Sequence, residues 1–136
     1  MGTTQRANYC PYEHAEQLGI VIEWTPLEDP LMVAAYSPDT GHIYVRPGLT
    51  PSVERCAVAH EIVHWEYGDQ ESTAKTEQRA RRISAQRLIK RSELDGLMAT
   101  TLDLQQIARD LSVTVKTLTT FLGLPDQLVD QHGQAA

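Results

Sequence analysis

No segment limits what this chain can fold into as much as Thr50 to Gly68. Thr50 can cap a helix, Pro51 suits the first helical position and Gly68 can end it, so a helix is predicted over Pro51 to Tyr67. Inside it stands His60-Glu61-Ile62-Val63-His64. Residues four apart on a helix share a face, so both imidazoles can reach one metal ion. Val58, Ala59, Ile62 and Val63 are small or apolar, so the other faces suit burial and would hold the histidines rigidly.

A catalytic zinc ion takes three protein ligands and keeps a fourth position open. Two histidines leave one ligand to find. Glu77 is the favoured candidate, because a second helix is predicted over about Thr73 to Lys90, and its small Ala80, Ser84 and Ala85 would allow the two helices to pack closely as an antiparallel pair. Asp69 and Glu71 remain alternatives; Glu66, two residues past His64, points about 200° away around the helix. Glu61 lies about 100° from His60, beside the metal position without ligating it. It is the natural general base, taking a proton from the attacking water and passing it to the leaving amine. Cys56, one turn before His60, reads as a buried small hydrophobe.

The rest of the chain supplies a frame. A short helix is predicted from Asn8, as cap, to Leu18, and a strand over Ile20 to Leu27. Leu31 to Ser37 and His42 to Arg46 flank the turn Pro38-Asp39-Thr40-Gly41 and read as a β-hairpin. The strand His42 to Arg46 is expected to offer an edge to a peptide, and His42, Tyr44 and Tyr67 are possible donors to a transition-state oxygen. Trp24 and Trp65 are expected in the core. Beyond residue 91 the chain reads as wholly helical, with Ser92 and Asp103 as caps, and Gln131 to Ala136 as a frayed tail. The predicted class is α+β: a small zincin-like domain with a short antiparallel sheet, a motif helix packed on a ligand helix, and a helical C-terminal part. Residues 1–136 are expected to form one domain, with a core over 8–90 and a helix-turn-helix-like subdomain over 91–131.

Composition narrows the function classes. With 136 residues, 41% of them hydrophobic, the chain can bury a core without disulfides or structural metals. No apolar run approaches the roughly 20 residues of a membrane span, and Met1 to Arg6 lacks the apolar stretch of a secretory signal, so the expected location is cytoplasmic. Cys10 and Cys56 are then expected as free thiols. The formal net charge is -6, yet residues 75–91 carry seven basic groups against Glu77 alone. That strip is a solvated face or a docking site for an acidic partner. Leu104 to Leu122 resembles a helix-turn-helix, with a turn near Ser112 and Thr114 capping the second helix. The segment after Arg91 is net acidic, and the second helix offers only Lys116 as a cation, so nucleic acid is a poor partner.

Val53-Glu-Arg-Cys-Ala-Val-Ala-His-Glu-Ile-Val-His64, preceded by Thr40-Gly-His-Ile-Tyr-Val-Arg-Pro-Gly-Leu-Thr50 and followed by Glu77-Gln-Arg-Ala-Arg-Arg-Ile-Ser-Ala-Gln-Arg-Leu-Ile89, resembles the ImmA/IrrE-type metallopeptidases, particularly the short actinobacterial and phage type. The resemblance covers most of residues 8–130. It implies zinc ligands at His60, His64 and Glu77, a catalytic Glu61, and a protein substrate, a repressor of phage, mobile-element or stress genes. One departure stands out. Zinc peptidases of this layout often read Glu-x-x-Ala-Asp on the second helix, the Asp orienting a ligand histidine; here the position is Arg81, which could instead pair with Glu77. Loss of such an orienting partner costs about 10- to 100-fold in metal affinity or activity, so either another acceptor serves or activity is weak. Competing readings are a non-catalytic anti-repressor acting by protein contact and a DNA-binding transcription regulator.

Overall fold

The computed structural model describes residues 9–124. Asn8 and the tail from Gln131 therefore lie outside the described residues. Helix α1 spans Pro11–Leu18, starting at a proline whose fixed φ suits a first helical turn and stopping at Gly19. Strands β1 (Ile22–Trp24), β2 (Ala34–Tyr36) and β3 (Ile43–Val45) follow, then helices α2 (Pro51–Tyr67), α3 (Ala74–Leu88), α4 (Arg91–Met98), α5 (Leu104–Leu111) and α6 (Val115–Leu122).

The hairpin is present, with β2 and β3 antiparallel and Ala35 opposite Tyr44. The sheet, however, is mixed and not antiparallel. Its order is β1-β3-β2, and β1 runs parallel to β3 with Ile22 opposite Ile43. β3 is thereby the central strand, and the expected substrate edge at His42 to Arg46 does not exist. The free edge beside the helices belongs to β2. Bonds from Arg46 N–H to the Val33 carbonyl and from Ser37 N–H to the His42 carbonyl mark residues 33 and 37 as turned towards β3. Alternation then turns the N–H and C=O groups of Ala34 and Tyr36 outward.

Two apolar clusters meet on α2. One joins Ala15, Ile20, Ala34, Ile43 and Val45 to Val58 and Ile62; the other joins Cys56 and Ala59 to Leu88, Leu94, Ile107 and Leu118. Val58, Ala59, Ile62 and Val63 have no exposed surface at all. Each such Val or Ile adds about 1.5–3 kcal/mol by burial, so the motif helix is clamped from both sides. Trp24 departs from expectation: it is 49% exposed and its indole N–H donates to Glu54 at 2.9 Å. Trp65 packs, partly buried, on the sheet-side cluster, and Cys56 is buried and free, as is the half-buried Cys10 free.

The helical tail follows its sequence signals closely. Asp103 accepts from the amides of Gln105 and Gln106, Ser112 takes a left-handed φ of 59°, and the Thr114 side chain accepts from Thr117. Ser92 is no cap; α4 starts after Lys90 without a side-chain cap bond. No helix among the described residues is long and apolar enough to cross a membrane.

Candidate metal centre

The site grows from the two ends of one turn. At the end of α2, Gly68 adopts φ 61°, a left-handed conformation that glycine takes without a Cβ penalty. This cap lets the Gly68 amide donate to the Trp65 carbonyl and the Asp69 amide to that of His64, both at 3.1 Å. The chain is thus folded back over its own last turn. Asp69 then lies against the histidine five residues earlier: its Oδ2 accepts from His64 Nδ1 at 2.8 Å. Its other oxygen accepts from the Arg79 guanidinium. Six residues after Gly68 the next helix begins, and Thr73 and Thr76 close a reciprocal capping box. That box sets the first turn of α3, where Glu77 sits.

Glu77 reaches both histidines. Its Oε1 is 2.8 Å from His60 Nε2 and its Oε2 is 3.1 Å from His64 Nε2, while the two Nε2 atoms are 3.2 Å apart. Ser72 Oγ donates to Glu77 Oε2 at 2.8 Å, fixing the carboxylate from its open side. The small faces of α3 make this approach possible, since Ala80, Ser84 and Ala85 are buried against α2. Arg87, in the last turn of α3, bonds Glu66 at 2.7 Å near the C-terminal end of α2, the end that Glu77 also approaches. That ion pair also holds Glu66 away from the site.

His60, His64 and Glu77 form a group whose ligand atoms all lie within 4.8 Å of one another. Tetrahedral ligands about 2.0–2.1 Å from a zinc ion stand about 3.3 Å apart, close to the distances here. The donor chemistry points the same way. With Nδ1–H committed to Asp69, the Nε2 of a neutral His64 is an acceptor aimed at the Glu77 carboxylate, also an acceptor. Only a cation between them, a proton or a metal ion, makes that arrangement favourable. Burial alone would lower the His64 pKa, but the Asp69 hydrogen bond and the Glu61 and Glu77 charges raise it. For His60, burial wins and lowers the pKa, helped by the His64 and Arg81 charges, although its bond to Glu77 opposes this. Burial would raise the Glu77 and Asp69 carboxyls, yet their donors and neighbouring cations hold both below the ordinary range.

Glu61 is half-buried beside this group and does not ligate with it. Burial pushes its carboxyl up to about 7, with the Glu77 charge adding and the His64 charge and the Tyr36 amide subtracting. A carboxyl poised near neutrality suits proton transfer in both directions. Two cavities open on it. One, of about 280 Å³, runs along the β2 edge past Ala34, Ala35 and Tyr36 to His64 and Asp69. The other, of about 450 Å³, lies between α2, α3 and α6 and is lined by His60, Arg81, Ser84, Thr117 and Lys116. Glu61 and Glu77 line both, so the two cavities form one cleft with the His-His-Glu group at its middle.

The sequence reading had Asp69 only as a spare ligand. Its position after a helix-ending glycine, five residues past His64, was the available signal for an orienting role. Asp69 supplies the acceptor that Arg81 cannot. Arg81 makes no ion pair with Glu77; it lines the larger cavity instead. Glu71 lines the smaller cavity outside the group of three. None of the expected oxygen donors lines either cavity: His42 Nδ1 is bound to Glu23 at 2.6 Å, Tyr44 bonds Thr40 at 3.1 Å, and the Tyr67 ring lies 3.9 Å from the Arg79 guanidinium. Tyr36, not singled out from sequence, does line the cleft.

An α+β chain with two histidines one turn apart, a carboxylate from the next helix and a further glutamate between two cleft halves has the layout of a metallopeptidase. Residues 15–122 match the Peptidase_M78 family, the IrrE N-terminal-like domain, and the chain belongs to that family. No curated protein and no solved structure matches it.

Proposed function

We propose that this protein is a zinc-dependent endopeptidase that hydrolyses a peptide bond in a regulatory protein of the cytoplasm, a phage or mobile-element repressor being the substrate its family favours. The observation that carries the reading is the convergence of His60 Nε2, His64 Nε2 and Glu77 within tetrahedral ligand spacing, beside Glu61, which stands outside the ligand group. A zinc ion held by these three residues supplies Lewis acidity towards a carbonyl oxygen and a water molecule. Glu61 accepts the proton of the attacking water and returns it to the departing amine nitrogen. Asp69 holds the His64 ring with its Nε2 lone pair facing the site, and Arg79 holds Asp69.

A polypeptide fits the cleft better than a small molecule does. The outward N–H and C=O of Ala34 and the outward C=O of Tyr36 can take an extended peptide as an added strand, passing Glu61, which the Tyr36 N–H meets. Above them the segment before β2 projects apolar side chains, with Leu31 at 90% exposure and Met32 at 43%. Arg46 anchors this lip by bonds to the carbonyls of Asp29 and Met32 at 2.7–3.0 Å. An exposed apolar rim on both cleft halves suits a protein partner.

The test is incubation of the zinc-loaded protein with any repressor encoded near its gene, followed by mass spectrometry. Discrete fragments are expected, absent with chelator and absent with Glu61→Gln. Intact repressor that nonetheless loses DNA binding in the presence of Glu61→Gln would favour inactivation by contact.

A further inference from the structure

Away from the metal group, the charged side chains of the larger cleft half are cations. The chain carries a formal net charge of -6, yet the side chains lining this cavity away from the metal group include Arg81 and Lys116. Its two carboxylates belong to the metal end, Glu77 bound to His60, His64 and Ser72, and Glu61 to the Tyr36 amide. Neither Arg81 nor Lys116 makes an ion pair or a side-chain hydrogen bond among the described residues. Arg81 is half-buried and close enough to His60 to disfavour its cation. Lys116 stands in the first turn of α6, whose helix dipole adds positive potential at the same end. Thr114, Thr117 and Thr120 recur every third residue and turn one polar stripe of α6 to the cavity, while Leu118 and Thr119 are buried.

We propose that this half of the cleft is a carboxylate-binding subsite, in which Arg81 and Lys116 select a substrate with an acidic group next to the scissile bond. The second helix of the helix-turn-helix-like pair is thereby a wall of the substrate cleft, with its polar stripe facing the peptide instead of a DNA groove. An Asp or Glu side chain and a peptide's terminal carboxylate share this chemistry. A pocket of about 450 Å³ has room for either with its flanking backbone. The inference rests on the peptidase reading, since the metal group fixes where the subsite begins.

The test uses short peptide hydroxamates, which anchor on the metal, extended from the hydroxamate in both chain directions. They carry Glu, Gln or Lys at the adjacent position with a neutral far end, and a fourth probe carries Gln with a free terminal carboxylate. Binding to zinc-loaded full-length protein is measured by calorimetry, in wild type, Arg81→Gln and Lys116→Gln. In one direction the Glu probe should bind about 10-fold more tightly than the Gln probe, and the gap should narrow with salt and with either variant. A preference shown only by the free-carboxylate probe would assign the subsite to a chain terminus. Equal binding of Glu and Gln probes, or a preference that both variants leave unchanged, overturns the subsite and leaves the peptidase reading intact. Zinc-loaded protein that binds no probe overturns both.

Discussion

Replacing Asp69 by Asn keeps the shape of the side chain and removes one acceptor oxygen and the charge. Asp69 serves two donors at once, His64 Nδ1 through Oδ2 at 2.8 Å and the Arg79 guanidinium through Oδ1. An Asn carbonyl can serve one of them, and the other donor then faces an NH2 group. If the carbonyl stays with His64, the remaining bond has lost the ionised acceptor that makes such bonds about twice as strong as neutral ones. If it turns to Arg79, His64 is driven towards the wrong tautomer, and its Nε2 carries a proton where a lone pair is needed. Partners of this kind are worth about 10- to 100-fold in metal affinity, or about 1.4 to 2.8 kcal/mol. Zinc dissociation constants from competition with a chromophoric chelator, with circular dichroism as the folding control, read this out. Asp69→Asn is expected to weaken zinc by about 10-fold or more, and Asp69→Ala to weaken it further. If both variants bind zinc within about twofold of wild type while His64→Ala abolishes binding, the positioning role of Asp69 is wrong.

Other expectations follow from the same geometry. Glu77→Ala should abolish stoichiometric zinc, whereas Glu61→Gln should retain it and lose hydrolysis; normal activity in Glu77→Ala would show a different third ligand. In metal-free protein, Glu61 is an acid whose folded pKa is raised from 4.5 to about 7, so the fold binds more protons than the unfolded chain across that window and stability falls as pH rises through it. A 2.5-unit gap corresponds to about 3 kcal/mol, and urea titrations at pH 4.5 and 8 should show that much less pH loss in Glu61→Gln. Because His64 is raised above the ordinary histidine value, proton competition should make zinc affinity start to fall at a pH above about 6.5. Gly68→Ala forces a Cβ into a left-handed φ and should cost about 1 kcal/mol or more in thermal stability, together with weaker zinc binding through Asp69.

The helix from Pro51 to Tyr67 was legible to the residue and the pair α5 and α6 in outline, because Thr50, Pro51, Gly68, Asp103 and Thr114 each act within one turn of their own position. The hairpin was legible for the same reason. What escaped depends on contacts distant in sequence. Nothing local tells Ile22 to pair in parallel with Ile43, so the central place of β3 and the free edge of β2 were invisible. Trp24 was assigned to the core by residue type, while its partner, Glu54, lies thirty residues away. The Arg87 to Glu66 pair is likewise a tertiary choice that no local signal announces. His60, Glu61 and His64 came from a spacing rule on one helix, whereas Asp69 needed the backward fold after Gly68 to be seen.

The central claim is that His60, His64 and Glu77 hold one zinc ion. X-ray absorption at the zinc edge on purified full-length protein tests it most directly. One zinc per chain is expected, with two imidazole nitrogens and carboxylate oxygen at about 2.0–2.2 Å and no sulfur. Absence of stoichiometric zinc, or a sulfur ligand at about 2.3 Å that disappears in Cys56→Ser, would contradict the account.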